Sequence, residues 1–341
     1  MKKIKLLVLI LTLGLFSYYF IDLDFNNLTG MLVLDPQISS PTTSLVVDSG
    51  DIQVFFCPQD KCEQALVDFI SSAKTTIHCA LFDIGLESVK KVLDNKEKDI
   101  EVKVVTDDHY LKKYNRTWVK ADRSGLQHNK LCIIDGKKIS TGSMNPTPNG
   151  AYKNNNNLLL INSKVLANNY EDEFQEMWDG IFKKGDKVLN PKIKIGEIEV
   201  ENYFCPEDSC ADQVKAELNQ AQKSIHFMIF SFTHDGIANI LLLKNQSGIN
   251  VRGVMEARQI SKYSKYEVLK YQGIDVVKDG NKNNMHHKVF IIDNQTVITG
   301  SFNPSNNGDK RNDENVLVIK NAKVAEKFLD EWTSVYQATN S

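Results

Sequence analysis

The chain carries almost no excess charge of either sign. Its 341 residues hold 41 Lys and Arg against 43 Asp and Glu, a formal net charge of −2. No global field draws such a chain to nucleic acid, so binding there needs a local basic groove. Candidate residues are Arg116, Lys120 and Arg123, then Arg252, Arg258, Lys262 and Lys265, then Lys310 and Arg311. Each reads equally well as a solvated surface charge. Metal-ligand clusters are lacking around the motifs described below. What is present is ordinary: 42% hydrophobic and 25% charged residues suit a globular protein of one large domain or two smaller ones.

The apolar run is confined to the amino terminus. Lys2, Lys3 and Lys5 precede Leu6 to Ile21, which is broken only by Thr12, Gly14 and Ser17. A spanning helix wants about 20 residues, which Ile4 to Ile21 nearly supplies. No small-x-small cleavage site follows; Tyr18, Tyr19 and Phe20 stand there instead. Residues 1–21 therefore read as an uncleaved signal anchor, with a cleaved signal peptide as the alternative. Either places the remainder outside the cytoplasm, membrane-anchored or secreted. Residues 22–50 read as a linker.

Beyond residue 50 the chain repeats itself. His128-Asn-Lys130-Leu-Cys-Ile-Ile-Asp135, with Thr141-Gly-Ser143-Met-Asn145, maps at a shift of 158 onto His286-His-Lys288-Val-Phe-Ile-Ile-Asp293 and Thr299-Gly-Ser301-Phe-Asn303. Earlier, Phe56-Cys-Pro-Gln-Asp-Lys-Cys62 maps at a shift of 148 onto Phe204-Cys-Pro-Glu-Asp-Ser-Cys210. The second half thus carries ten extra residues between Ile225 and His286, assigned to a helix over 261–271. Fixed-shift self-similarity of this kind is an internal duplication. We place the units at 51–190 and 191–341. In each, strands alternate with helices, which predicts an α/β layered unit. Period-2 alternation puts His286 and Lys288 on one strand face and His287 on the other. His78 and His226 occupy equivalent strand starts and read as fold residues. Nothing in the sequence distinguishes His109 or His234.

The pattern His-x-Lys-(x)4-Asp-(x)6-Gly-Ser-x-Asn, present twice, resembles the phospholipase D superfamily, and the longer segments look most like its nuclease-type branch. The resemblance covers about residues 51 to 339. It implies two pseudo-symmetric α/β/α units with mixed sheets, related by a pseudo-twofold axis, sharing one active site, and metal-independent catalysis without a cofactor. A single chain then suffices for a site. Phosphodiester cleavage needs a nucleophile, charge neutralisation and a proton for the leaving alkoxide. One imidazole attacks phosphorus and the opposed one serves as acid and then base, so one His cannot do both. By resemblance His128 is the nucleophile and His286 the acid. Lys130 and Lys288 are expected to hold the phosphoryl oxygens, with Ser143, Asn145, Ser301 and Asn303 as neutral donors. Asp135 and Asp293 belong to the motif, although their turn positions also suit support of the fold. A downstream Glu usually orients the imidazole. Glu314 fills that place for the second half, and Asn156 stands there in the first. With each imidazole paired inside its own half, His128 faces the amide, has the lower pKa and is the more readily neutral nucleophile. The expected substrate is nucleic acid, with membrane phospholipid as the alternative.

Cysteine usage agrees with export. Cys57 with Cys62, and Cys205 with Cys210, can each close a local disulfide at a strand-to-helix turn; a shared four-Cys metal site and free thiols are the other readings. Cys79 and Cys132 lie in apolar runs and read as small buried core residues.

Overall fold

The computed structural model describes residues 4–12, 15–23, 45–122 and 125–340. Lys2, Lys3, Arg123 and residues 24–44 of the expected linker lie outside them. Ile4–Thr12 (β1) and Leu15–Leu23 (β2) pair antiparallel, within a unit of their own, Met1–Ser44. The sequence predicts one apolar span here, and the residues form a hairpin. Their Leu, Ile, Val, Phe and Tyr content suits either form. Among the described residues no helix is long and apolar enough to cross a membrane.

Leu45–Ser341 is the second unit. It opens with Val46–Asp48 (β3), followed by the first repeat: Asp51–Cys57 (β4), Cys62–Ser71 (α1), Thr76–Leu81 (β5), Glu87–Lys96 (α2), Glu101–Thr106 (β6), Val119–Ala121 (β7) and Leu126–Gln127 (β8). The hairpin Lys130–Ile134 (β9) and Lys138–Gly142 (β10), then Pro148–Tyr152 (α3), Asn156–Asn162 (β11) and Lys164–Trp178 (α4) complete it. Lys192–Ile195 (β12) leads into the second repeat. Its elements are Ile198–Cys205 (β13), Cys210–Leu218 (α5), Ser224–Ile229 (β14), Asp235–Gln246 (α6), Asn250–Met255 (β15), Tyr266–Tyr271 (α7) and Asp275–Lys278 (β16). The second motif hairpin, Lys288–Ile292 (β17) and Thr296–Gly300 (β18), is followed by Asn306–Lys310 (α8), Asn312–Lys320 (β19) and Ala322–Gln337 (α9).

The strands form two mixed sheets. The order is β4-β11-β10-β9-β5-β6-β7 in one and β16-β15-β14-β17-β18-β19-β13-β12-β3 in the other. The six strands β4-β11-β10-β9-β5-β6 and β13-β19-β18-β17-β14-β15 correspond one to one, so the duplication is topological as well as textual. The motif strands β9 and β17 are central in their sheets and buried along their length. Alternation sorts their side chains: Leu131 and Ile133 enter a core shared by both repeats, with Tyr170 and Phe174 of α4 and Phe328 and Trp332 of α9. Cys132 and Ile134 face an outer core with α1 and α2. In the second repeat, Phe290 and Ile292 likewise face an outer core with α5, α6 and α7. The layers are thus helix, sheet, paired α4 and α9, sheet, helix, as expected for the two α/β/α units. Matching caps start matching helices: Ser163 and Asn321 accept from Leu166 N and Val324 N, both at 3.1 Å.

Two further details depart from the sequence reading. The linker assigned to 22–50 runs too far, because β3 pairs in parallel with β12 (Ile193↔Val46). A three-residue strand carries too little periodicity to be read. Cys79 and Cys132 are not free thiols: they face each other across β5 and β9 and are disulfide-bonded. The pairing of two distant strands sets that contact, which spacing along the chain does not show. The two local bridges, Cys57–Cys62 and Cys205–Cys210, are formed as expected. The extra residues of the second half fall where expected, since the β6–β7 connection spans 107–118 and the β15–β16 connection spans 256–274 and contains α7.

Candidate active site

Each motif His immediately precedes its strand, and the opposite repeat holds it there. His128 N donates to Asp313 O at 3.0 Å, and His286 N donates to Asn155 O at 2.8 Å. The pairing crosses again at the side chains. His128 Nδ1 lies 2.8 Å from Glu314 Oε2, and His286 Nδ1 lies 2.9 Å from Asn156 Oδ1 and 3.1 Å from Ser143 O. Asn156 Nδ2 donates to Gly150 O at 3.0 Å, which fixes its amide with the oxygen toward the imidazole. These partners are acceptors, so both Nδ1 atoms carry the proton and both Nε2 atoms are left with a lone pair. This corrects the expected pairing within each half. The carboxylate serves His128, and the amide serves His286. A shift along the sequence aligns equivalent positions, whereas the pseudo-twofold axis brings opposite ones together.

The imidazoles are nearly buried, with 6% and 7% of their surface exposed. Burial lowers the pKa of His128 to about 4; Glu314 opposes the shift and Lys130 adds to it. His286 is held well below its ordinary value by burial, then by Lys288, Lys130 and His128, with no carboxylate in opposition. Burial likewise brings Lys130 down to about 7 and holds Lys288 well below the usual ammonium range. Burial alone raises Glu314, yet His128, Lys130 and Ser301 outweigh it and keep the carboxyl below its ordinary value. Each Lys ammonium donates to the carbonyl of its motif His, at 2.8 Å for Lys288 and His286. Phe82 and Phe230 complete the pair of half-sites. Their rings lie 5.0 and 4.6 Å from His128 and His286. Lys130 Nζ and Lys288 Nζ each stand 4.9 Å from those rings. Phe82 and Phe230 correspond at the shift of 148, which is the signal that could have found them. Two lysines, two imidazoles and one carboxylate make an anion site, and this donor set repels a metal cation.

The other motif residues take different places. Ser143 and Ser301 are fully buried and accept from Asn157 N (3.0 Å) and Asn315 N (2.9 Å). Ser143 Oγ donates to Asn156 Oδ1 at 3.2 Å, so its hydroxyl orients the His286 partner instead of facing phosphate as expected. The glycine before each serine is required. A Cβ on Gly142 would stand 2.5 Å from Asn157 O, and one on Gly300 2.3 Å from Asn315 O. Asn145 and Asn303 are half-buried, and their Oδ1 atoms have no partner among the described residues. Asp135 and Asp293, expected in the catalytic set, lie at the far ends of β9 and β17. Asp135 accepts from the amides of Lys74, Thr75 and Thr76, and Asp293 from those of Gln222, Lys223 and Ser224. They fasten the helix-to-strand turn in each repeat. His287 faces away, as expected, onto Glu331 and Asn157. His78 bonds Glu101 and Glu171, His226 packs on Trp332, and His234 caps α6. His109 sits by Asp107 and Asp108, which raise its pKa.

The basic candidates are largely neutralised in place. Arg116 pairs with Asp94, Arg252 with Asp275, Arg258 with Glu256, Lys265 with Asp235 and Lys310 with Asp309. Lys120 covers the Trp178 ring.

Comparison with known proteins bears on the family of the chain. A family model described as "Cardiolipin synthase, PLD-like domain" matches residues 66–178 and again 214–335. A Rickettsia prowazekii protein named phospholipase D is 32% identical over 149 residues, 43% of this chain and 73% of that protein. Nuc, a phospholipase D family member from Salmonella typhimurium, is 34% identical, with a TM-score of 0.40, over 42% of this chain and 96% of that one. The phosphatidylserine synthase of Haemophilus influenzae shares the fold at a TM-score of 0.66 and 12% identity, over 84% of this chain and 86% of that one. With the family model matched twice, the chain belongs to the phospholipase D superfamily.

Proposed function

We propose that this chain is a metal-independent phosphodiesterase that forms a phosphohistidine on His128, with a nucleic-acid strand as substrate. The observation that carries the chemistry is the crossed pairing of His128 with Glu314 and His286 with Asn156. As His128 Nε2 attacks phosphorus, its ring becomes a cation while keeping the Nδ1 proton, and Glu314 stabilises that charge. His286, which takes up a proton on Nε2 as the anionic substrate binds, gives it to the leaving oxygen as the P–O bond breaks, and so loses charge in the same step. A neutral amide suffices for it. Water then attacks the phosphohistidine, His286 takes the proton, and the N–P bond breaks. Lys130 and Lys288 balance the phosphoryl oxygens as point charges. His128 thus remains the nucleophile for the reverse of the expected reason: it has the carboxylate, which opposes the fall of its pKa, and His286 has none.

The choice of nucleic acid rests on the resemblance of the longer motif segments, Gly300-Ser-Phe-Asn-Pro304 and Asn312-Asp-Glu-Asn315, to the nuclease-type branch. A phospholipid substrate is the second reading. It is favoured by the Rickettsia relative's name, by the pairing of the basic candidates with acids, and by the apolar amino-terminal run. In a bilayer that run would satisfy its backbone as a single helix, as an anchor or signal with the catalytic unit outside. The full chain is assayed in detergent with EDTA on single-stranded DNA, duplex DNA, RNA and phosphatidyl lipids. Nucleic-acid cleavage is expected; turnover of lipid alone contradicts the substrate assignment, and loss of all turnover in EDTA contradicts the chemistry.

A further inference from the structure

The rims of the two half-sites differ in charge. Beside His128, in the 107–118 connection, Lys113 pairs with Asp83, Arg116 pairs with Asp94, and Asp107 and Asp108 face His109, which leaves Lys112. The connection beside His286 is longer, and its extra residues bring Lys262 and Tyr263. The acids there are turned inward. Glu256 accepts from Met285 N at 2.7 Å and Arg258 N at 3.0 Å, and Asp279 accepts from Ala257 N at 2.7 Å and Asn281 N at 3.0 Å. Asp275 is paired with Arg252, so Glu267 is the exposed acid left between 256 and 284. Against it stand Lys262, Lys278 and Lys282, with Lys153 of the first repeat. All four are exposed and form no ion pair among the described residues.

These lysines adjoin the site through the sheet and through hydrogen bonds. Lys288, Ile229, Met255 and Lys278 stand in one cross-strand row, so Lys278 leaves the sheet on the same face as the site lysine, about 14 Å away across three strand spacings. Asn281 Nδ2 donates to Lys153 O at 3.0 Å and to Asn155 Oδ1 at 2.6 Å, and Asn155 O is the acceptor that holds His286 N. Arg258 donates to Lys282 O. Lys265 N donates to Phe232 O at 2.9 Å, which roots the Lys262–Tyr263 loop two residues beyond Phe230, the ring beside His286. Tyr263 is 66% exposed, and Lys262 Nζ stands 5.0 Å from its ring. An aromatic ring left open beside a cation is a stacking surface for a base next to a phosphate.

We propose that this rim binds the leaving portion of a single-stranded nucleic acid, with Tyr263 stacked on a base and Lys153, Lys262, Lys278 and Lys282 against its phosphates. The inference rests on the nuclease reading above and adds which side of the scissile bond the chain grips. His286 gives its proton to the leaving oxygen, so the leaving portion departs over the His286 rim. Several unpaired lysines on that side suit a portion that carries several phosphates. Stacking on Tyr263 needs an unpaired base, which favours a single strand over a duplex. Because Lys262 and Tyr263 belong to the extra residues of the second repeat, the first repeat has no counterpart to this grip.

The test compares the full chain in detergent with Tyr263→Ala, Lys262→Ala and Lys282→Ala. The control is Tyr271→Ala, which removes a ring that is 87% exposed at the other end of α7. Three readouts are taken: KM for a single-stranded DNA oligonucleotide, the salt dependence of its Kd in the His128→Asn background, and turnover of bis(p-nitrophenyl) phosphate, which has no further phosphates to grip. Tyr263→Ala is expected to raise KM about ten-fold. Each lysine variant is expected to reduce the slope of log Kd against log salt by about 0.7. Turnover of the small diester should stay unchanged in all of them, and Tyr271→Ala should change nothing. Oligonucleotide cleavage with unchanged KM and salt slope in the variants overturns the proposal and leaves the nuclease reading standing. If the unmodified chain neither binds nor cleaves the oligonucleotide, that reading fails and the proposal with it. Weakened binding to phosphatidylglycerol vesicles with oligonucleotide binding intact overturns the proposal by making the rim a membrane contact. An equal loss in Tyr271→Ala overturns it as well, because the effect is then not local to the rim.

Discussion

The two imidazoles differ through one atom each. Glu314 and Asn156 occupy equivalent places in the two repeats, yet each reaches the imidazole of the other. Glu314→Gln should therefore cost about 10² to 10⁴ in kcat, the range set by replacing a carboxylate behind a catalytic imidazole. Asn156→Ala should cost about ten-fold less, because the amide faces the imidazole that loses charge. Equal losses in the two variants would contradict the assigned roles. Protonation gives a second prediction. In the free site His128 titrates at about 4 and Lys130 at about 7, both depressed by burial. A bound phosphoryl anion favours their charged forms and raises both values. Anion binding then takes up protons, and affinity for inorganic phosphate should rise as pH falls through neutral. Calorimetry in buffers of different ionisation heat reads this directly; proton release on binding would count against it. The linkage also affects stability. An imidazole depressed in the folded state contributes its full share above about 6.5, lost as pH falls toward 4, so Tm should decline across that window. The types and positions of these residues could be read from sequence by the shift of 158. Their partners could not, because a repeat alignment ranks equivalence and the axis creates proximity between non-equivalent halves.

Elements were legible where their periodicity was strong. The motif hairpins, their flanking helices and the site of the extra residues all stand where the sequence puts them. The short strand β3 and the Cys79–Cys132 bridge were not, because both depend on which strands become neighbours. Asp135 and Asp293 were counted in the catalytic set as motif members while their turn positions also read as support of the fold, and their contacts are to the turns before β5 and β14. Asp135→Ala and Asp293→Ala should each destabilise the fold by about 1–3 kcal/mol, through backbone amides left without an acceptor, with kcat unchanged in the folded fraction. A variant of normal Tm with strongly reduced kcat would return them to the catalytic set. Reduction should also lower Tm. The Cys79–Cys132 bridge closes a separation of 53 residues and should account for about 4 kcal/mol, against about 2 for each five-residue loop. Equal effects from removing Cys132 and removing Cys62 would contradict this ordering.

At the scale of the whole molecule, duplication yields one site and not two. Neither repeat holds its own imidazole: His128 hangs from Asp313 and Glu314, and His286 from Asn155 and Asn156. Further side-chain bonds run across the axis in matched pairs, from Thr141 to Asn315 at 2.9 Å and from Thr299 to Asn157 at 3.2 Å. The repeats are therefore expected to melt as one cooperative unit, and scanning calorimetry showing two separate transitions for residues 45–341 would contradict that. Behind the imidazoles the symmetry is broken where chemistry needs it, at Glu314 against Asn156. This leads to the central claim, that a phosphoryl group is carried covalently by His128. The direct measurement is to quench the His286→Asn variant under denaturing conditions after mixing with bis(p-nitrophenyl) phosphate, whose leaving group needs no acid, and to map the modified peptide by mass spectrometry. The account predicts an acid-labile phosphoryl adduct on His128, absent when His128→Asn is added. An adduct on any other residue, or p-nitrophenol release with no adduct at any time, would contradict it.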